Sequence, residues 1–181
     1  MARPVVVMGV SGCGKTALAT GVADHFGWRA VDADDLHAPE AVAKMRAGQA
    51  LVDADRFPWL DRVGAVLAKA AADGQGILVA CSALRRVYRD RLRAACPGVR
   101  FVFLDGTREL IVARLAQRQD HYMPMSLLDS QLRTLEAPGA NEPDALRIDI
   151  DQPLTAVVQQ ACAALQPSES AAAESTMKPR P

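Results

Sequence analysis

The most specific spacing in the chain lies near its start. Gly9-Val10-Ser11-Gly12-Cys13-Gly14-Lys15-Thr16 satisfies G-x-x-x-x-G-K-[ST] at every fixed position, follows a β-rich apolar run and opens a helical stretch. Glycines let backbone amides turn inward around phosphate oxygens, and the helix that follows adds the positive end of its dipole. Lys15 supplies a mobile point charge for the β- and γ-phosphates, and Thr16 offers a hydroxyl to Mg²⁺. ATP with Mg²⁺ is therefore the expected ligand. Val10, Ser11 and Cys13 fill free positions of the loop, and no side-chain chemistry is assigned to Cys13.

Many ATPases place an acid at the end of a second apolar strand to help hold the metal. Here that strand, Ile77–Ala80, runs into Cys81-Ser82 without one, and no guanine-reading NKxD segment occurs. Carboxylates gather instead at Asp32-Ala33-Asp34-Asp35. In an extended segment Asp32 and Asp34 project to the same side. Beside the phosphate loop, one would hold a metal-bound water and the other would accept the proton of a substrate hydroxyl. A solvated acidic turn is the plainer alternative. Arg114 and Arg118 stand at i and i+4, a spacing at which two guanidinium groups reach one phosphate-bearing ligand. The segment after them, Gln119-Asp120-His121-Tyr122, is read as a small mobile lid over about residues 118–126 that closes on ATP. A solvated basic helix face is the alternative there.

The elements that position these groups alternate in kind. β-rich runs occur at Val5–Met8, near Trp28–Val31, at Ile77–Cys81, at Phe101–Leu104 and at Leu146–Ile150. Helical stretches fall at Lys15–Phe26, Pro39–Ala47, Pro58–Ala72, Arg86–Ala95, Glu109–Gln119, Ser126–Glu136 and Pro153–Leu165. Such alternation predicts an α/β three-layer domain with a parallel sheet and crossover helices. Pro39 and Pro58 suit first helical turns, and Gly48 and Gly74 suit C-terminal caps. Residues 1–165 read as one domain, and the small, polar stretch 166–181 as a disordered tail.

Acids and bases balance at 21 each, so no net field favours nucleic acid or an anionic membrane surface. A small-molecule partner is expected. The four cysteines form no CxxC pair and read as reduced thiols. With no signal-peptide pattern and no apolar stretch long enough to span a bilayer, the expected location is the cytoplasm.

Taken together, MGVSGCGKT, DADDLH, AVAKMRAGQAL, DADRFPWL, CSALRRVYRDRLR, RLAQRQDHYM, SLLDSQLRTLEAP and IDIDQPL resemble the gluconokinases of the small P-loop type, relatives of shikimate kinase and the nucleoside monophosphate kinases. The likeness runs from about Val5 to about Leu165. It implies a five-stranded parallel sheet, a mobile lid and a cytoplasmic homodimer. It also implies transfer of the ATP γ-phosphoryl group to D-gluconate, giving 6-phospho-D-gluconate. Position by position, it implies that Asp32 orients Mg²⁺ through water and that Asp34 contacts the accepting hydroxyl as general base. His37, Lys44, Arg56 and Arg85 would line the sugar-acid pocket, and Arg118 would be the lid arginine over ATP. A gluconate site needs cations for one carboxylate and hydrogen-bonding groups for several hydroxyls, and Lys44, Arg56, Arg85, Arg86 and Arg89 offer more charge than phosphate alone requires. Arg86 and Arg89 also read as surface charges. Trp59 reads as core rather than as a sugar-stacking ring. The chain departs from the family pattern at Asp120, where glycine is usual, and at Arg85, where lysine is common. A kinase for another hydroxy acid such as shikimate, or an ATP-binding regulator without catalysis, are the alternatives.

Overall fold

The computed structural model describes residues 3–47, 49, 51–117 and 125–166. Residues 118–124, which hold Arg118 and most of the expected lid, lie outside the described residues. So do Gly48 and residues 167–181, nearly all of the expected tail.

β1 (Val5–Met8) leads through the glycine-rich loop into α1 (Lys15–Phe26), and β2 (Arg29–Asp32) follows. A 3₁₀ turn (Ala33–Leu36), α2 (Pro39–Arg46) and α3 (Asp53–Ala72) precede β3 (Ile77–Ala80). Then come α4 (Arg86–Ala95), β4 (Arg100–Asp105), α5 (Arg108–Ala116), α6 (Met125–Thr134), β5 (Ala145–Asp149) and α7 (Leu154–Leu165). The sheet has five strands in the order β2-β3-β1-β4-β5, all parallel.

Period-two alternation in the central strands feeds two cores. Val5, Val7, Leu78, Ala80, Val102 and Leu104 face one layer, which holds Leu18, Val22, Val157 and Leu165 of α1 and α7. Val6, Met8, Ile77, Val79, Phe101 and Phe103 face the other, which holds Leu60, Val63 and Leu67 of α3 and Leu92 of α4. Apolar side chains on both faces are what a parallel sheet covered by helices requires. In register, Val7 and Asp32 both pair with Ala80 across β3. The ends of β1 and β2 therefore lie level, and the phosphate loop and the acidic segment leave the sheet from the same edge.

Two boundaries differ from the sequence reading. Pro58 lies inside α3 and not in its first turn, because the helix already starts at Asp53. Asp55 fixes that start by accepting the Val52 amide at 3.1 Å, a local cap that outweighs the proline signal. Further along, α5 ends at Ala116 rather than at Gln119, and the spacing of Arg114 with Arg118 lies outside the described residues. Pro39 does open α2, and Gly74 follows α3 with φ +66°, both as expected. No described helix is long and apolar enough to cross a membrane.

Candidate active site

The loop after β1 needs glycine for conformation and for room. Gly9 has φ +141°, and a Cβ there would meet the Leu104 carbonyl oxygen at 3.0 Å. Gly14, at φ +100°, makes the turn that lets α1 begin at Lys15 with its amide ends toward the loop. The Lys15 ammonium donates to the Val10 carbonyl at 3.0 Å and so lies across the loop. On the next residue, Thr16 Oγ1 donates to Asp32 Oδ2 at 2.9 Å. A hydroxyl and a carboxylate from two neighbouring elements thus form an oxygen-only pair at the loop, the donor type that suits Mg²⁺. Among the described residues no three His, Cys, Asp or Glu side chains converge on one point.

Asp32 and Asp34 do not share the side of an extended strand. Asp32 ends β2 and its Oδ1 accepts the Asp34 amide at 3.0 Å, capping the 3₁₀ turn. This short local bond bends the chain and sends Asp34 out into solvent, 87% accessible. Crowding by the protein, and then the charge of Asp32, push the Asp34 carboxyl above the usual carboxylate range, while His37 and Lys15 oppose the rise. Because water reaches the carboxylate freely, those influences are screened.

His37 ends the same turn, its amide bonding to the Asp34 carbonyl at 3.2 Å. Its ring stacks on Trp59 with centroids 4.4 Å apart and planes 10° from parallel, and its Nε2 lies 3.9 Å from Asp34 Oδ1. Nδ1 is buried with no partner among the described residues, and burial holds the imidazole below its ordinary pKa. Trp59 is core, as expected: it is 2% exposed and donates its indole N–H to the Ala33 carbonyl at 2.6 Å.

The cations expected to hold a sugar acid form one cluster, largely neutralised already. Lys44 pairs with Asp55 at 2.6 Å, and Arg85 pairs with Asp53 at 2.6 Å and Glu136 at 3.6 Å. Tyr88 donates its hydroxyl to Asp53 at 2.6 Å, and its ring carries Arg85 on one approach (5.6 Å) and Arg56 on another (5.9 Å). These bonds hold Asp53, through Tyr88 first, and Asp55, through Lys44 first, below the usual carboxylate range. Arg56 bonds only the Leu51 carbonyl, at 3.3 Å, and has no carboxylate partner among the described residues. Its charge also acts on His37, which connects this cluster to the Asp34 end of the site.

Arg89 corrects one expectation. It is 1% exposed, not a surface charge, and it grips Glu142 with two bonds of 2.7 and 2.6 Å. Its remaining nitrogen donates to the carbonyls of Ala83 and Leu84, at 3.1 and 3.2 Å. Ala83 has φ +42°, a strained backbone for a residue with a side chain. The buried pair therefore sets the path of the chain just before Arg85. Arg86 is half exposed and lies 3.6 Å from Asp90.

On the other side of the loop a cavity of about 290 Å³ is lined by Gly12, Gly14, Leu104, Arg114, Ile150 and Val157. Arg114 donates to the Ile150 carbonyl at 2.5 Å, so here it shapes the cavity wall. All four cysteines are buried and free, as expected, and burial pushes Cys81 up to about 12.

Sequence reasoning missed the counter-charges Asp53, Asp55, Glu136 and Glu142, and it missed Gln131, whose carboxamide reaches Ser11 from α6. The signal for Asp53 and Asp55 was present in DADR, where two acids stand just before Arg56, which has no carboxylate partner among the described residues.

A parallel sheet of this order, its first strand feeding a G-x-x-x-x-G-K-T loop, defines a P-loop kinase fold. The family model for the AAA domain matches residues 5–138. Gluconokinase of Gluconobacter oxydans is 48% identical over 141 residues, 78% of this chain and 79% of that protein. The crystal structure of a gluconokinase from Sinorhizobium meliloti superposes with a TM-score of 0.82 at 43% identity, covering 90% of this chain and 91% of that one. That of a sugar kinase from Janibacter gives 0.84 at 45% identity, covering 90% and 94%. The chain belongs to the gluconokinase family.

Proposed function

We propose that this chain transfers the γ-phosphoryl group of ATP to the terminal hydroxyl of D-gluconate, releasing ADP and 6-phospho-D-gluconate. The observation that carries the reading is the Thr16–Asp32 pair at the mouth of the phosphate loop, with the open carboxylate of Asp34 two residues further on. The similarity to named gluconokinases supplies the acceptor.

In this reading the amides of Gly9–Thr16 and the Lys15 ammonium cradle the phosphates, and the apolar cavity beside α7 receives the base. Arg114 and Arg118 act on the nucleotide. Thr16 and Asp32 would hold Mg²⁺, Asp32 by way of a water. Bound Mg²⁺ supplies charge that offsets the build-up on the transferred oxygens. Asp34 takes the proton of the attacking hydroxyl, a role favoured by a carboxyl raised toward the working pH. Lys15 moves off the Val10 carbonyl to follow the transferred group. Arg56 binds the gluconate carboxylate, and Lys44, Arg85 and His37 hold the hydroxyls, exchanging part of their present bonds for substrate.

We further propose one kinase domain over residues 1–165, acting as a homodimer in the cytoplasm on a small molecule rather than on nucleic acid or membrane. Four buried, unpaired thiols suit a reducing compartment. The test is ADP release with Mg·ATP in the presence and absence of gluconate. Gluconate-dependent release is expected, and equal release in both arms defeats the reading.

A further inference from the structure

Outside the groups given a role so far, Gln131 of α6 reaches into the phosphate loop. Its Oε1 accepts the Ser11 backbone N–H at 2.7 Å and its Nε2 donates to Ser11 Oγ at 3.2 Å. One carboxamide therefore holds both the backbone and the side chain of a single loop residue, from 120 positions away. The orientation of the amide follows from the chemistry: a backbone N–H is only a donor, so the atom facing it is the oxygen.

The position of Lys15 assigns Ser11 to the γ end of the loop. Lys15, the cation that reaches the β- and γ-phosphates, rests its ammonium on the carbonyl of adjacent Val10, at 3.0 Å. The amides of Gly9 and Cys13 bond to backbone carbonyls, at 3.3 Å to Ser82 and 3.4 Å to Val10. The Ser11 amide is held instead by a side chain, which can rotate or follow the loop when phosphate arrives.

We propose that Gln131 is a positioning residue for the transferred phosphoryl group. It sets the Ser11 amide and hydroxyl in place before nucleotide binds, so that ATP meets an ordered γ end and loses less free energy in ordering it. The proposal rests on the kinase reading above and adds a prediction that the reading does not make. The γ-phosphate depends on Gln131, whereas ADP, which lacks that group, does not.

The test uses the full chain with Gln131→Ala and Gln131→Glu. Each is titrated calorimetrically with ADP and with a non-hydrolysable ATP analogue in Mg²⁺, without acceptor, and then assayed for kcat and KM. For Gln131→Ala the analogue should weaken about 10-fold, as for loss of a hydrogen-bonded brace, with ADP affinity and the KM for gluconate unchanged and kcat reduced. Gln131→Glu still accepts the Ser11 amide but puts negative charge at the γ end, so it should weaken the analogue more than Gln131→Ala does and leave ADP the less affected ligand. Should the alanine variant fail to fold, the glutamate variant and Ser11→Ala carry the same comparison of analogue with ADP. Equal losses for both nucleotides together with a lower Tm would make Gln131 a structural tie of α6 and overturn the proposal, as would an unchanged analogue affinity. The titrations need no acceptor, so a wrong acceptor leaves them valid. A wild-type chain that binds neither nucleotide defeats the kinase reading itself.

Discussion

Thr16 Oγ1 donates to Asp32 Oδ2 across 2.9 Å and so joins the first turn of α1 to the end of β2. Both residues occupy the same edge of the sheet because Asp32 and Val7 are in register with Ala80 on the intervening strand. No acid follows β3 directly, and the carboxylate that meets the loop comes instead from the end of the neighbouring strand. Asp32→Asn keeps the hydrogen-bonding shape but removes the charge. It should lower kcat by about 10²-fold or more and raise the Mg²⁺ concentration needed for half-maximal rate. A Mg²⁺ titration of the variant checks this, and an unchanged midpoint would remove Asp32 from the metal site.

Asp34→Asn should lower kcat by about 10²–10⁴-fold with ATP affinity kept, because the amide cannot take a proton. Stability should move the other way. The folded-state pKa of Asp34 is raised above the ordinary 3.8, so the ionised group opposes folding, and wild-type stability falls as pH rises through that window. The variant should therefore melt no lower than wild type at pH 7, and the small difference, screened by water, should vanish below about pH 3.8. Thermal melts across pH test the sign, and a variant that melts lower at neutral pH contradicts it.

Arg56→Ala should raise the KM for gluconate by about 10–100-fold, as for a lost charged hydrogen bond, and leave the KM for ATP nearly unchanged. Lys44→Ala should cost less, since Lys44 already satisfies Asp55 at 2.6 Å and would have to give that bond up to bind substrate. Steady-state kinetics on the pair decide the matter. A larger effect at Lys44 would transfer the carboxylate contact from Arg56 to Lys44.

Glu142 is the buried partner of Arg89, whose bonds, opposed by burial and helped by Arg93, bring its carboxyl from the ordinary 4.5 down to about 2. A depressed pKa contributes stability that is present above 4.5 and is lost as pH falls toward 2. Glu142→Gln leaves Arg89 buried without its counter-charge and should cost about 3–5 kcal/mol. Urea melts at pH 7 measure the loss. Since Arg89 also holds the Ala83 and Leu84 carbonyls, the variant should bind gluconate less well while its ATP affinity stays nearly level.

How far these features could be read in advance depended on the range of the interactions that create them. The phosphate loop and the parallel α/β sheet follow from fixed positions and local periodicity. The geometry at Asp34 did not, because a side chain two residues back caps its amide and turns an apparently extended run into a 3₁₀ turn. Pro58 misled for a similar reason: the bond from the Val52 amide to Asp55 starts α3 five residues earlier than the proline suggested. The charge state of the acceptor cluster was hidden more deeply. Arg85 meets Asp53 from 32 positions away and Arg89 meets Glu142 from 53, so only the fold reveals which cations are already paired.

The central claim is that an anionic sugar acid is the acceptor, and the most direct measurement is the product itself. Purified chain with Mg·ATP should be offered D-gluconate, glucose, shikimate and AMP separately, with kcat/KM taken for each and the phosphorylated product identified by ³¹P and ¹³C NMR. Gluconate should give the highest kcat/KM and a phosphate ester on its terminal carbon. Glucose, a neutral ring without the carboxylate that Arg56 lacks, should fall behind by several orders of magnitude, up to about 10⁴–10⁵-fold. A higher kcat/KM for any of the other three, or phosphate on another carbon of gluconate, would contradict the account.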